Sequence, residues 1–210
     1  MPRPAGRLIA IEGGEGAGKS TQAARLADAI GAELTREPGG TAFGEQVRAL
    51  LLDPAASALD ARAELLLMLA ARAQHLAERI VPALDAGRNV VVDRFSGSTI
   101  AYQGHGRGLP IPDVRRACEL ATTGRWPDLT VLIDVPFGVG AARRHGGPDR
   151  IEAETAAFHE RVRQGFLSQA AADRRNWSII DGSGEPDAIA AAVLAAVRER
   201  LSFGAEVPSQ

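Results

Sequence analysis

A parallel β-sheet covered on both faces by helices is the fold class this sequence predicts, and three observations predict it. Short β-branched runs alternate with longer Ala/Leu/Arg-rich runs along the 210 residues. The runs Leu8-Ile9-Ala10-Ile11, Val90-Val91-Val92 and Thr130-Val131-Leu132-Ile133 are nearly continuous apolar stretches, the pattern of strands buried on both faces. The first of them leads into Gly13-Gly14-Glu15-Gly16-Ala17-Gly18-Lys19-Ser20 and then into a helix-forming segment, the strand–loop–helix order of a βα unit.

Each element follows from its own residues. The expected strands are Leu8 to Ile11, Glu33 to Thr35, Asn89 to Asp93, Thr130 to Asp134 and Ser178 to Asp181. Between the first two, Thr21 to Ile30 reads as a helix. After the second, Arg36 precedes Glu37-Pro38-Gly39-Gly40, a turn-forming stretch, and Phe43 to Leu52 resumes helical spacing. Long helices are predicted over Ala61 to Ala86, Glu154 to Arg174 and Pro186 to Leu201, and shorter ones over Pro112 to Thr123 and Gly138 to Arg144. The segment His145-Gly146-Gly147-Pro148-Asp149 breaks periodicity between two helices and reads as a mobile flap, with a lid at about 143–152. No repeat or low-complexity linker divides the chain, so one domain over residues 1–210 is expected, with a frayed tail from Ser202 to Gln210.

The bulk numbers narrow the function classes. Twenty-four basic against 26 acidic side chains give a formal net charge of −2, so no global basic field argues for nucleic acid as the main partner. The single cysteine, Cys118, excludes an internal disulfide and a multi-cysteine metal site. It shares helical spacing with Val114, Ala117 and Ala121, which reads as an inert core thiol. No apolar run is long enough for a membrane span. Met1 to Arg7 leads straight into the first strand and leaves no room for a signal peptide, so the expected location is the cytoplasm.

The glycine-rich segment fits G-x-x-x-x-G-K-[ST]. Its glycines let backbone N–H groups curl around an anion, and the following helix adds the positive end of its dipole. From Gly13 through Thr21 this is a nucleotide-phosphate cradle, in which Lys19 reaches the β- and γ-phosphates and the Ser20 hydroxyl ligates magnesium. A glycine-rich turn that holds no ligand is the plain alternative. Val90-Val91-Val92-Asp93-Arg94 ends in an acid that can orient a magnesium-bound water beside that loop. Arg94 then aims a fork of donors at a phosphate or carboxylate, or else the two residues form a surface salt bridge. Arg48 and Arg72 lie on otherwise apolar helices. They are either snorkelling surface residues or parts of a second anion site, and spacing does not separate the two.

Several strings, in order, resemble bacterial thymidylate kinase from about Leu8 to Leu201. They are the phosphate loop with Glu15, Thr35-Arg36-Glu37-Pro38-Gly39-Gly40-Thr41, Ala70-Ala71-Arg72-Ala73-Gln74-His75, Asp93-Arg94-Phe95 with Ser98-Thr99-Ile100-Ala101-Tyr102-Gln103-Gly104, Trp126-Pro127-Asp128-Leu129-Thr130, and Asp149-Arg150-Ile151-Glu152. The resemblance implies a P-loop NTP hydrolase-like, three-layer α/β fold of nucleoside monophosphate kinase type with a five-stranded parallel sheet. It also implies transfer of a phosphoryl group from MgATP to dTMP, giving dTDP for dTTP biosynthesis, and a homodimer. By the same resemblance Arg94, helped by Arg48, clamps the dTMP phosphate, and Arg72 and Gln103 read the thymine edge. Ser98, Thr99 and Tyr102 wall the base and sugar, with Tyr102 crowding C2′. Glu15 lies near the 3′-hydroxyl, Pro38 floors the pocket, and Asp181-Gly182-Ser183 sit where adenine is held.

Because the phosphate loop carries the acid Glu15 and no extra base, the transferring phosphoryl group needs a cation from elsewhere, and the lid offers Arg143, Arg144 and Arg150. Arg150, in the matched D-R-I-E string, ranks first and Arg143 second. The expected catalytic set is therefore Lys19, Asp93, Arg94, Arg150 and Arg143, with Ser20 and Asp93 at the metal. Two features depart from the family pattern. Met68 stands where an aromatic usually stacks on thymine, and the lid is about two residues short. Three other classes remain for comparison. A deoxynucleoside kinase would accept a neutral nucleoside, a GTPase would carry N-K-x-D, which this chain lacks, and a transport ATPase would carry a second signature, also lacking.

Overall fold

The first strand, β1 (Leu8–Glu12), is buried at every position, as its apolar run requires, and lies at the centre of the sheet. The computed structural model describes residues 5–55, 59–143 and 147–201. The other strands are β2 (Glu33–Arg36), β3 (Val90–Asp93), β4 (Leu129–Asp134) and β5 (Trp177–Asp181). Their order is β2-β3-β1-β4-β5, and every pairing is parallel. The register sets Asp93 opposite both Ile11 and Arg36, and Asp134 opposite Asp181. The carboxyl ends of the strands thus share one edge, where an open α/β sheet binds its ligands. The chain turns back at β1, whose neighbours β3 and β4 lead away on opposite sides.

The pleat sorts the strand residues onto two faces. Ile9, Ile11, Val91, Val131 and Ile133 meet α1 (Lys19–Ala29) and α9 (Pro186–Arg200) through Ala23, Leu26, Ile189, Val193 and Val197. Leu8, Ala10, Val90 and Val92 meet Leu76, Ile80, Ala83 and Leu84 on the opposite face. There too Leu132 packs with Phe158, Val162 and Phe166 of α8 (Ala156–Ala172). α2 (Ala42–Leu52) is capped by the Thr41 side chain accepting from the Gly44 N–H, and α3 (Ala61–His75) by Asp60 accepting from the Arg62 N–H. α6 (Ile111–Thr122) and α7 (Phe137–Ala142) complete the predicted set. Arg144, His145 and Gly146 of the expected flap and the 202–210 tail lie outside the described residues.

Two differences from the sequence expectation have physical reasons. The long helix expected over 61–86 passes through a π-helical turn, Leu76–Ile80, into α4 (Val81–Asp85). Pro82 carries no N–H to donate back to the preceding turn, and the ladder widens just before it. The second difference is a helical stretch where none was expected, α5 (Ser96–Thr99) running into π-helical Ile100–Gly106. Its Ser, Gly and Thr content argues for a loop. Burial overrides propensity, because a Cβ at Gly97 would lie 2.8 Å from Glu12 Oε1 and 2.9 Å from the Trp177 ring. Only a residue without a side chain lets this helix press that close to the sheet.

Candidate active site

The phosphate loop closes over its own backbone. Gly16 and Gly18 have φ of 71° and 86°, and a Cβ on Gly16 would stand 2.0 Å from the Gly140 carbonyl of α7. Lys19 Nζ donates to the Gly14 carbonyl at 2.7 Å, so the ammonium folds back over the loop that should hold phosphate. Burial, and then Arg94, push the Lys19 ammonium down to about 8. Ser20 Oγ donates to Asp93 Oδ2 at 2.5 Å, joining α1 to the end of β3. The other carboxylate oxygen, Asp93 Oδ1, is buried with no hydrogen-bond partner. A buried carboxylate oxygen left bare beside a hydroxyl is what a hydrated divalent cation satisfies, so these two residues fit the magnesium expected with the nucleotide.

Arg94 sits at the turn after β3 with φ of 69°, a left-handed conformation costing on the order of 1–3 kcal/mol for a side chain of this size. Its guanidinium offsets that strain. Nη1 donates to the Gly13 carbonyl at 3.0 Å and to Ser98 Oγ at 3.1 Å, and Nη2 donates to Glu15 Oε1 at 2.6 Å. The Tyr102 hydroxyl donates to the same Glu15 oxygen at 2.7 Å, and the Tyr102 ring lies 5.1 Å beneath the guanidinium carbon. Burial would raise the Glu15 carboxyl, but Arg94 and Lys19 overcome it and hold it at about 2. Arg94 is pushed up by the same pairing against its own burial. Behind it, Glu12 Oε1 accepts from the N–H groups of Phe95 and Ser98 at 2.9 Å each, and Glu12 Oε2 accepts from Ser98 Oγ at 2.5 Å. Glu12 fixes the whole Arg94–Ser98 corner. An acid closing an apolar strand is the sequence signal for it. Burial pushes the Glu12 carboxyl above the usual carboxylate range.

One cavity gathers every residue expected at the acceptor: Glu15, Pro38, Arg48, Met68, Arg72, Arg94, Ser98, Thr99, Tyr102 and Gln103. Glu37, Leu52, Asp149 and Ile151 line it as well and were not foreseen. Arg48 Nη1 donates to the Pro38 carbonyl at 3.0 Å. Burial and the neighbouring Arg36 disfavour the Arg48 cation, the balance expected of a cationic corner waiting for an anion. Arg72 is fully buried: Nε donates to Glu37 Oε2 at 2.6 Å and Nη2 to Thr99 Oγ1 at 2.9 Å. Neither Arg48 nor Arg72 is the snorkelling surface residue that spacing alone allowed. Cys118, whose thiol burial pushes up, is buried 3.8 Å from Arg72 Nη1, which bears out its core placement. Met68 packs between the cavity and the clusters around Leu51 and Phe158.

The two described lid arginines go to different places. Arg150 turns inward: Nη2 lies 2.6 Å from Glu64 Oε2, and Nε donates to the Leu51 carbonyl at 2.8 Å. Glu64 also accepts from Gln103 Nε2 at 2.9 Å and from Arg107 at 3.1–3.2 Å. A glutamate immediately before the apolar run Leu65-Leu66-Leu67 is the sequence signal for this hub. Arg143 caps α7, the helix whose Gly140 abuts the phosphate loop at Gly16. Its guanidinium donates to the carbonyls of Gly182 and Ser183 at 2.8 and 3.1 Å, in the loop named above for adenine. Arg150 is thus paired with Glu64, and Arg143 with the carbonyls of Gly182 and Ser183.

Known proteins match this arrangement over nearly its full length. The thymidylate kinase family model matches residues 11–193. A thymidylate kinase of Cereibacter sphaeroides is 46% identical over 209 residues, covering 94% of this chain and 96% of the relative. One of Carboxydothermus hydrogenoformans is 48% identical over 191 residues, covering 88% and 93%. The crystal structure of thymidylate kinase from Ehrlichia chaffeensis superposes with a TM-score of 0.77 at 32% identity, covering 93% of this chain and 99% of that one. With the P-loop, the five-stranded parallel sheet and these relatives in agreement, the chain belongs to the thymidylate kinase family.

Proposed function

We infer that this protein phosphorylates dTMP to dTDP with ATP, as a step of dTTP synthesis. The observation that carries the reading is the acceptor cavity, in which Arg48, Arg72 and Arg94 converge next to the P-loop. A cation-lined pocket suits an acceptor that already bears a phosphate, and a neutral nucleoside has no use for it. An oxygen of the dTMP phosphate attacks the γ-phosphorus of ATP. The new P–O bond forms as the bond to the β–γ bridging oxygen breaks, and ADP leaves. The acceptor is already anionic, so no general base is needed, and catalysis reduces to positioning and charge stabilisation.

Lys19 leaves the Gly14 carbonyl for the phosphates, and Arg94 exchanges Glu15 for the acceptor phosphate. Gln103 and Arg72 hold the base edge, Met68 covers its face, and Tyr102 packs against the sugar. Ser20 Oγ and, through water, Asp93 Oδ1 are the atoms that would hold magnesium, which when bound neutralises phosphate charge. Arg143, whose helix abuts the phosphate loop at Gly140, serves as the lid cation once it releases the Gly182 and Ser183 carbonyls, whereas Arg150 serves there only if it releases Glu64. The segment 143–152 closes over the site as the lid of a single domain.

No helix among the described residues is long and apolar enough to cross a membrane. We place the enzyme in the cytoplasm as a homodimer. What supports a second copy is the apolar surface on three helices: Leu50 of α2, Leu66 of α3 and Leu120 of α6 are 60%, 64% and 82% exposed. Sedimentation at micromolar concentration tests it. The function is tested by ADP release with dTMP, with thymidine and with neither. Release that depends on dTMP is expected. Equal release without acceptor, or thymidine outperforming dTMP, overturns the reading.

A further inference from the structure

A chain of four buried side chains runs away from the acceptor cavity. Arg72 Nε donates to Glu37 Oε2 at 2.6 Å, and the other oxygen, Oε1, lies 3.0 Å from His75 Nδ1. His75 Nε2 lies 2.7 Å from Thr35 Oγ1. Each of the four is at least nine-tenths buried, and His75 is wholly so. The phosphoryl transfer described above uses neither Glu37, His75 nor Thr35.

The geometry assigns His75 and Glu37 as positioning residues that orient the base-reading Arg72. Glu37 offers only acceptors, so His75 must present Nδ1–H to Oε1. In the neutral ring Nε2 is then an acceptor and takes the Thr35 hydroxyl proton. This fixes the ring from both sides, and a Cβ on Gly40 would stand 2.5 Å from His75 Nε2, so packing closes a third side. With its second oxygen anchored, Glu37 can turn only one oxygen toward Arg72. The guanidinium is held in one plane by Glu37 on its Nε edge, Thr99 on Nη2 and the Phe95 ring 5.1 Å from its central carbon. One N–H on each terminal nitrogen remains to meet the base edge. An arginine has several rotamers and loses much entropy when fixed, so holding it before the substrate arrives spares that cost at binding. The device therefore acts on acceptor affinity and leaves the transfer step alone.

This inference rests on the reading that Arg72 contacts the base, and the experiment separates the two. Steady-state kinetics are measured on Arg72→Ala, Glu37→Gln, His75→Phe, Thr35→Val and Thr35→Ser, together with thermal unfolding. His75→Phe and Glu37→Gln are expected to raise KM for dTMP about 10-fold, the loss of one hydrogen bond to a charged group, with kcat and KM for ATP unchanged. Thr35→Val shows a smaller rise in the same direction and Thr35→Ser restores it. In an Arg72→Lys background the His75→Phe effect disappears, because there is no fork left to orient. Histidine nitrogen NMR on the unsubstituted protein, assigned with His75→Gln, is expected to show Nδ1 protonated and Nε2 bare. If Arg72→Ala leaves KM for dTMP unchanged, the base-reading role itself is wrong. If Arg72→Ala raises it while folded His75→Phe and Thr35→Val do not, or if His75 shows the opposite tautomer, the positioning role is overturned.

Discussion

Arg150 and Glu64 form a buried ion pair, Nη2 to Oε2 at 2.6 Å, with side chains only 8% and 1% exposed. The pair ties the D-R-I-E string of the lid to the start of α3. Glu64 Oε1 also accepts from Gln103 Nε2, so Arg150 and Gln103 share one carboxylate. Burial works against that charge, but Arg107, Gln103 and Arg150 outweigh it and keep the Glu64 carboxyl below the usual range.

This pairing separates the two lid arginines by experiment. Arg150→Ala should lower thermal stability, since breaking a buried pair costs ~3–5 kcal/mol, and at the low end here because Glu64 keeps Arg107 and Gln103. It should also weaken dTMP through Gln103. Arg143→Ala should lower kcat by about 100-fold or more with KM for dTMP little changed, as for a contact made in the transition state. Kinetics and melting curves on both variants decide it. A pure kcat loss at unchanged melting temperature in Arg150→Ala would return the catalytic cation to Arg150.

The depressed Lys19 ammonium makes ATP binding proton-linked. At a pKa of about 8, below the ordinary 10.5, the ligand-free protein holds Lys19 largely neutral at pH about 8.5. Phosphate oxygens replacing the Gly14 carbonyl restore the charge, so binding takes up a proton in this range and ATP affinity falls as pH rises through about 8 and above. Calorimetry in buffers of different ionisation enthalpy measures the uptake. Lys19→Ala should abolish it and lower transfer by about 100- to 1000-fold while the fold survives. Proton release, or uptake that persists in Lys19→Ala, would assign the linkage elsewhere.

Arg94→Lys keeps a positive charge but loses the fork that spans Gly13, Glu15 and Ser98. Weaker dTMP binding and slower transfer are expected, with ATP affinity close to normal. Isothermal titration of each nucleotide checks the split. Equal losses for both nucleotides would mean that Arg94 mainly braces the P-loop.

Met68 tests which base the cavity holds. Met68→Phe should keep or improve dTMP affinity, because a rigid ring loses less freedom on stacking than a three-torsion side chain. Met68→Ala should weaken it by about 1–2 kcal/mol from lost apolar contact, with ATP affinity unaffected. Unchanged dTMP affinity in a folded Met68→Ala protein would assign Met68 to the core alone.

The P-loop motif and the five strands were legible in the chain, because their local signals, an apolar run and a glycine pattern, do not depend on distant contacts. The surroundings of Arg48 and Arg72 were not, because spacing alone allowed a snorkelling residue as readily as an anion site. The helix over 96–106 was not legible, because Gly97, Gly104 and Gly106 lower helix propensity and only close packing reveals their use. Glu12, Glu37 and Glu64 were missed as partners for a related reason: a glutamate is ordinarily a solvated residue, and only burial makes it an organiser.

The sequence by itself determined the sheet, the P-loop motif and the family, since each is written in short-range periodicity or in contiguous strings. The tertiary structure decided which cation faces which anion. Arg72 is bound to Glu37, 35 residues away, and Arg94 to Glu15, 79 residues away. Arg150 is drawn to Glu64, and Arg143 to the carbonyls of Gly182 and Ser183. An arginine's reach spans several possible partners, and the one it takes depends on which carboxylate folding has stripped of water, a property that no stretch of sequence carries alone.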